Sequence, residues 1–460
     1  RASFVQGRNC RGLGLGLAPS WGGLLLGAGR APPGSMAPGC AAEAACTAPF
    51  ALEPHFEVCR VRPAAFEGLG IGMRCTEDVQ RGTELLSIPL ARCWTADAAR
   101  CSPELMTLGE EVLEAISDES LIALHMVVVR SQGVAAADAC RREHLAVLEE
   151  AQFETLLDWS ADDLQMLAGS KWAMVAREQL QDMRDEFAEL KELLGDFFRT
   201  HEVTWDTFFW AHRLLISRSV SFFMEDGSTL LVLGPGQDMF NHSVDAPVGN
   251  DDVSLGLSSS GDRLLVIRAY KDFSAGEQAF YSYSGASNGR LLMMAGFVIP
   301  ENPFNAVELC FRFPASDACR PLFRYLAEGL EAGVRTPGAV AAETRSEFLE
   351  DAEDGVALHA RLTGEAISGQ LERVLAFFRL AQLCRGGAAP SQEELVASDC
   401  DAARRRHALQ QLRAHLSQML ALYPTTLEQD EAELLVLEAG AGGAQGPARA
   451  KSPGYRNCSA

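Results

Sequence analysis

The sequence predicts an α+β protein, and three observations lead there. Short runs rich in β-branched residues occur between 56 and 95 and again between 263 and 283. A block from about 100 to 200 carries helical periodicity instead, and the region beyond 304 reads as one strand followed by helices.

Residues 1–49 are set aside as an N-terminal tail. The first 42 hold Arg1, Arg8, Arg11 and Arg30, no acid appears before Glu43, and Gly, Ala and Leu abound. Such a stretch is expected either to be a transit segment for a plastid or mitochondrion or, with Met36 as the start, to leave an untargeted protein of the cytoplasm or nucleus. Residues 56–95 read as strands and turns, with Gly70-Ile71-Gly72-Met73-Arg74-Cys75-Thr76-Glu77-Asp78-Val79 running to Ile88-Pro89.

In the helical block, Leu180, Met183, Phe187, Leu190 and Leu194 recur at spacings of three and four. So short a heptad run predicts a packed amphipathic helix rather than a coiled coil. Trp205, Phe208, Phe209 and His212 share one helical face, an aromatic stripe expected in the core. Arg263-Leu264-Leu265-Val266-Ile267-Arg268-Ala269-Tyr270 is a strand bounded by Ser258-Ser259-Ser260-Gly261 and Lys271-Asp272, and a second strand over 278–283 follows the turn Ser274-Ala275-Gly276-Glu277. Beyond Phe304 one strand is expected, because Val307, Leu309, Phe311 and Phe313 alternate with Glu308, Cys310 and Arg312. The rest reads as helix: Leu371, Val374, Leu375 and Phe378 make one apolar face, and Leu409, Leu412, Leu416 and Met419 another. Thr426 with Gln429 forms a capping box for a last helix. Residues 440–460, rich in Gly, Ala and Pro, are expected to be disordered.

Composition narrows the function classes. Hydrophobic residues at 47% and charged residues at 22% suit a soluble globular protein with a sizeable core. No apolar run reaches the roughly 18 residues of a membrane span. A formal net charge of −22 argues against nucleic acid, whose phosphates need Lys and Arg. The acidity either draws in a basic protein substrate or serves solubility alone. Thirteen scattered cysteines with no Cys-x-x-Cys pair suit neither a disulfide framework nor a zinc site, so reduced thiols in an intracellular compartment are expected.

Two polar stretches stand where strands end: Gln237-Asp238-Met239-Phe240-Asn241-His242-Ser243 and Glu277-Gln278-Ala279-Phe280-Tyr281-Ser282-Tyr283. Together they place amide, imidazole and phenol groups as a site for a charged small cofactor and a transferred group would. The pattern Asp-x-x-Asn-His-Ser, then Ala-Gly-Glu-Gln before Tyr-x-Tyr, then Ser287-Asn288 and Gly296-Phe297, resembles the second half of a SET methyltransferase domain. It is most similar to the subfamily of the Rubisco large-subunit lysine methyltransferase and the actin-histidine methyltransferase. The Gly70-Ile71-Gly72 strand resembles the opening of such domains. Phe153-Glu154-Thr155-Leu156-Leu157-Asp158-Trp159-Ser160, with Leu167-Ala168-Gly169-Ser170, resembles the subfamily's insert.

The resemblance implies a β-rich SET domain of small sheets with knot-like threading over 50–300. It carries a helical insertion at about 99–201 and is followed over 301–439 by a mostly α-helical domain that helps hold protein substrates. It also implies S-adenosylmethionine as cofactor, no metal, and a protein lysine as acceptor; separately, a monomer is expected.

The residue roles come from the same matches. Tyr283, before Ser284-Gly285-Ala286-Ser287-Asn288, matches the catalytic tyrosine, whose hydroxyl lies beside the transferring methyl. With a pKa near about 10 its phenol polarises without ionising at neutral pH. Asn241 and His242 match residues that meet the cofactor: an amide suits the ammonium and carboxylate of an amino acid, and His242 is expected to offer main-chain hydrogen bonds to adenine. Arg218 corresponds to an arginine lining the cofactor and substrate cleft. Asp238 either supports the loop or meets ribose or substrate. Phe297, in Ala295-Gly296-Phe297, matches an aromatic that stacks on adenine, and Gly296 permits close backbone approach.

At the start, Glu67-Gly68-Leu69-Gly70 and Gly70-Ile71-Gly72-Met73 overlap as registers. The second reaches Pro89 without a gap and sets Leu69 where family members carry Glu, so Leu69, Gly70, Ile71 and Gly72 are the expected backbone contacts. Phe280, Tyr281 and Tyr283 suit a narrow channel that disfavours a lysine ammonium, whose ordinary pKa is about 10.4. Val220 and Gln237 lie near that pocket and offer no clear partner for a second imidazole nitrogen, which favours lysine over histidine as acceptor. A catalytically silent binding module is the third reading.

Overall fold

Apolar side chains anchor the first strands. β1 (Val58–Cys59), β2 (Val61–Phe66), β3 (Gly70–Cys75) and β4 (Glu84–Pro89) turn Val61, Ala64, Met73, Cys75, Leu86 and Ile88 inward. The computed structural model describes residues 52–67, 69–132, 139–151, 153–224, 226–248, 252–331, 347–352, 355–364, 367–391, 394 and 401–441. The expected tail over 1–49 and all but the first two residues of 440–460 lie outside them. Residues 440 and 441 end a helix.

The helical block follows. Its principal helices are α1 (Asp118–Gln132), α2 (Ala139–Glu150), α3 (Lys171–Leu193) and α4 (Trp205–Arg218), with short helices between. On α3 and just beyond it, Met183, Leu190 and Leu194 are buried and Leu180 and Phe187 half-buried, the packing face that the spacing implies. Thr204 caps α4, its hydroxyl accepting from the Thr207 N–H and its own N–H donating to Thr207 Oγ1. The aromatic stripe on α4 divides between two cores: Phe208 packs with α1, while Phe209 faces Leu156, Leu157 and Met183.

After the block come β5 (Val220–Phe223), β6 (Thr229–Val232), β7 (Asn241–His242), β8 (Val253–Leu257), β9 (Arg263–Arg268), β10 (Gln278–Tyr281) and α5 (Asn288–Ala295). Two four-stranded sheets form, in the orders β1-β4-β9-β8 and β2-β3-β10-β7. Strands on either side of the helical block therefore pair with one another. Within the second sheet β10 runs antiparallel to β3, with Ala279 opposite Met73, and parallel to β7, with Phe280 opposite Asn241 and Tyr281 opposite His242. That double pairing joins the two polar stretches to the glycine strand. The sheets share one core containing Val61, Met73, Ile88, Leu265, Ala279 and Tyr281.

Beyond 304 stand β11 (Ala306–Pro314), α6 (Arg320–Glu331), β12 (Glu347–Ala352), β13 (Gly355–Thr363), α7 (Ile367–Leu383), α8 (Ala402–Leu420) and α9 (Leu427–Ala441). The expectation of a single strand here is corrected, because β12 and β13 complete a sheet in the order β11-β13-β12. β13 is the central strand; Gly355 to Leu358 are buried in succession, and alternation sets in only from Leu358 through Ala360 to Leu362. The face assigned to α8 is also corrected at one position. Leu409 is 45% exposed, and Ala408 and Leu412 are the inward residues. The Thr426–Gln429 capping box forms, with Thr426 N–H donating to Gln429 Oε1 at 2.8 Å. Among the described residues no helix is long and apolar enough to cross a membrane.

Candidate active site

Gly72 is where the strands converge. A Cβ on Gly72 would stand 2.2 Å from Gln278 Nε2 and 2.8 Å from Asn241 Nδ2, so both amides pack against its bare backbone. The Asn241 Nδ2 amide donates to Leu69 O at 3.4 Å, tying the glycine loop to β7. Asn241 Oδ1 and Gln278 Nε2 are buried with no partner. An unfilled acceptor beside an unfilled donor costs stability unless a ligand meets them. The side chain of Ile71 points away and is 42% exposed, which leaves its backbone alone to face the site. Glu67 is exposed, and Gly68 lies outside the described residues.

Tyr283 follows β10 directly and is 6% exposed. Its hydroxyl donates to Phe240 O at 2.9 Å, and its backbone N–H donates to His242 Nδ1 at 3.0 Å. The imidazole therefore carries its proton on Nε2 and braces the tyrosine. The Tyr283 ring stands 5.3 Å from that of Tyr281 and 6.3 Å from that of Phe297, the latter edge-on. Burial raises the pKa of both tyrosines well above the ordinary phenol value, so both remain neutral at neutral pH.

Gln237 is fully buried and its amide is committed. Nε2 donates to the Tyr281 hydroxyl oxygen (2.8 Å) and to Arg218 O (3.2 Å), and Oε1 accepts from the Gly234 N–H. Val220, half-buried at the start of β5 opposite Val232, and Phe280 pack on the same core.

Arg218, the last residue of α4, is 2% exposed. Nη1 donates to Asp238 Oδ2 at 3.1 Å and to Asp238 O at 3.3 Å, while Nε and Nη2 have no partner. The ring of Phe153 lies 5.2 Å from the guanidinium. Asp238 is buried completely, and its contacts are internal to the protein. Burial alone would raise its pKa, but the hydrogen bond from His144 and the charge and hydrogen bond of Arg218 hold it lowered.

Gly296 ends α5 in the left-handed region at φ 74°, and Ala295 and Phe297 beside it are each 9% exposed. The close approach that Gly296 permits is made to the Glu154 carbonyl. The Phe153–Glu154 segment thus meets both Arg218 and Gly296. The C-terminal sheet supports the loop between Tyr283 and α5: Ser287 Oγ donates to Glu308 Oε1 at 2.9 Å, and Arg361 donates to Gly285 O.

Sequence reasoning missed Gln278, His144 and Trp94. Gln278 stood inside the quoted Ala-Gly-Glu-Gln run, and its inward position on β10 opposite the glycine strand was the available signal. Nothing in the sequence pointed to the other two. Among the described residues no cluster of three His, Cys, Asp or Glu side chains is placed to hold a metal.

Burial pushes His242 and His212 down to about 4 and His125 down to about 3. Unfolded imidazoles titrate near about 6.5. Each folded pKa lies below its unfolded value, so between the two the unfolded chain binds the extra protons. Stability is expected to be full above that window and to fall as pH drops through it. A thermal midpoint that stays level throughout the window, measured by circular dichroism, would contradict these burials.

Comparison with known proteins adds the following. The SET domain family model matches residues 70–284. The ribulose-1,5 bisphosphate carboxylase/oxygenase large subunit N-methyltransferase, chloroplastic, of Pisum sativum is 26% identical over 257 residues, covering 54% of this chain and 50% of that protein. The actin-histidine N-methyltransferase of Gallus gallus is 25% identical over 291 residues, covering 60% of this chain and 46% of that protein. The chain spans about half the length of these curated relatives. The crystal structure of the SET domain of LSMT bound to lysine and AdoHcy superposes with a TM-score of 0.62 at 21% identity, covering 82% of this chain and 80% of that one. The likeness in fold therefore extends beyond the matched domain into the C-terminal region.

Proposed function

From the match of the SET domain family model to residues 70–284, we propose that this protein is an S-adenosylmethionine-dependent protein N-methyltransferase acting on a lysine side chain. The observation that carries the reading is the convergence of unpartnered buried groups at Gly72, from Asn241 and Gln278, close in the fold to a buried tyrosine hydroxyl.

The mixed donor and acceptor set suits an amino-acid cofactor. Asn241 offers an acceptor to an ammonium and Gln278 a donor to a carboxylate or ribose oxygen. The unpartnered Nε and Nη2 of Arg218 suit the cofactor carboxylate. Leu69, Gly70, Ile71 and Gly72 contribute backbone groups. His242 contributes main-chain bonds, and Ala295, Gly296 and Phe297 an apolar wall, to the adenine. Asp238 acts by holding Arg218.

When bound, the cofactor supplies a methyl group on a sulfonium. The chain's own part is alignment, exclusion of water and control of the acceptor's charge. Tyr283 directs its one hydroxyl proton to Phe240 O, which turns oxygen lone pairs toward other groups. A channel lined by Val220, Phe280, Tyr281 and Tyr283 disfavours the ammonium and so favours the neutral amine. The committed amide of Gln237 positions Tyr281 and leaves no partner for a second imidazole nitrogen, which supports lysine. The domain over 301–439 holds the protein substrate.

Incubation of the protein with methyl-labelled S-adenosylmethionine and cell extract, followed by mass spectrometry of labelled peptides, is expected to place the label on lysine. Label on histidine would favour the reading that the actin-histidine relatives suggest. Absence of both label and cofactor binding by calorimetry would leave only a silent binding module.

A further inference from the structure

Helix α2 approaches the site through two buried residues three positions apart on one face. Arg141 donates from Nη2 to Ala91 O at 2.6 Å and to Cys93 O at 2.8 Å, bolting the helix to the segment before Trp94. His144, with its side chain 0% exposed, lies between Trp94 and Asp238. The Trp94 Nε1–H donates to His144 Nδ1 at 3.0 Å. An indole nitrogen only donates, so Nδ1 must be the acceptor and the imidazole proton resides on Nε2.

Nε2–H then donates to Asp238 Oδ1 at 3.1 Å. That oxygen also accepts the Gly236 N–H at 3.1 Å, and Oδ2 takes Arg218 Nη1 at 3.1 Å. Trp94 therefore donates to His144 and His144 to Asp238, where Arg218 donates from the other side, and the Nε and Nη2 of Arg218 stay unpartnered.

Resting on the reading of Arg218 as a cofactor contact, we propose that His144 is a positioning residue of the cofactor site. It satisfies Asp238 so that Asp238 does not draw the remaining N–H groups of Arg218 to itself. A buried carboxylate that loses one donor seeks another, and the guanidinium already bonded to it is the nearest source. Once Arg218 turns both edges toward Asp238, it no longer serves an anionic group of the cofactor. A neutral imidazole does this work without adding charge, so the positive potential of Arg218 remains for the ligand.

Calorimetric titration of the full chain with S-adenosylhomocysteine tests it. His144→Leu is expected to weaken binding roughly tenfold, the loss of one hydrogen bond to a charged group. It is expected to raise KM for S-adenosylmethionine more than it lowers kcat. His144→Gln, whose amide can accept from Trp94 and donate to Asp238, is expected to restore binding to within about threefold of wild type. Wild-type affinity in H144L, or equal weakness in folded H144Q and H144L, overturns the proposal while the cofactor reading stands. No binding by the wild type removes the reading of Arg218, and the proposal with it. In the wild-type protein the ring ¹⁵N shifts of His144, assigned by their loss in H144Q, are expected to report the Nε2–H tautomer. An Nδ1–H tautomer overturns the proposal even where H144L does not fold.

Discussion

Tyr283→Phe is expected to slow methyl transfer by about 10²-fold or more while leaving S-adenosylhomocysteine binding and the unfolding midpoint close to wild type. The ring is 6% exposed and stays packed against Tyr281, His242 and Phe297 after the change. What disappears is the hydroxyl, held at 2.9 Å from Phe240 O. Leaving that carbonyl without its partner costs about 1 kcal/mol of stability, a small part of the total. The rate effect is larger because transfer in line tolerates little displacement, and an error of about 1 Å costs on the order of 10²-fold. Burial raises the Tyr283 pKa, so the phenol acts as a fixed dipole and its removal should leave the pH profile unchanged in shape. Single-turnover kinetics with a labelled methyl donor measure the chemical step directly. A Tyr283→Phe rate within about threefold of wild type would assign the chemistry to other residues.

The largest stability effect is expected at Gly296. Its φ is 74°, and an added Cβ would stand 1.7 Å from the Glu154 carbonyl oxygen. That oxygen belongs to backbone and cannot rotate aside, so Gly296→Ala adds overpacking to left-handed strain. A loss of about 3 kcal/mol or more is expected from the two together. Gly276 isolates the first term: its φ is 88° and nothing lies within 4 Å of its Cβ position, so Gly276→Ala should cost only about 1 kcal/mol. Denaturant unfolding of the two variants beside wild type gives the difference. Equal losses would mean that the Phe153–Glu154 segment yields readily and does not clamp α5.

Much of the candidate site was legible because its residues lie in two short runs. Tyr283, Asn241 and His242 were identified by motif order, and the strands carrying them by β-branched runs between turn residues. Where the structure departs from expectation, the cause is packing. β13 escaped notice because its first half, Gly355 to Leu358, is buried without a break, which leaves only Leu358, Ala360 and Leu362 to show alternation. Leu409 was placed inward because an apolar face read at spacings of three and four leaves the rotation of the helix open within a residue. Gln237 was placed near the pocket by its position in the chain, and only packing shows that its polar atoms are spent on Tyr281, Arg218 and Gly234.

By itself the sequence determined the class of fold, the order of its segments and the residues to watch, because propensity, turn chemistry and motif order are properties of neighbouring positions. Only the tertiary structure decided which of those residues share a site and which polar groups remain unspent there. Gly72 meets Gln278 and Asn241 through the pairing of β3, β10 and β7, and His144 meets Asp238 across 94 positions. A buried donor's partner is chosen by distance in space, and no spacing along the chain encodes that distance.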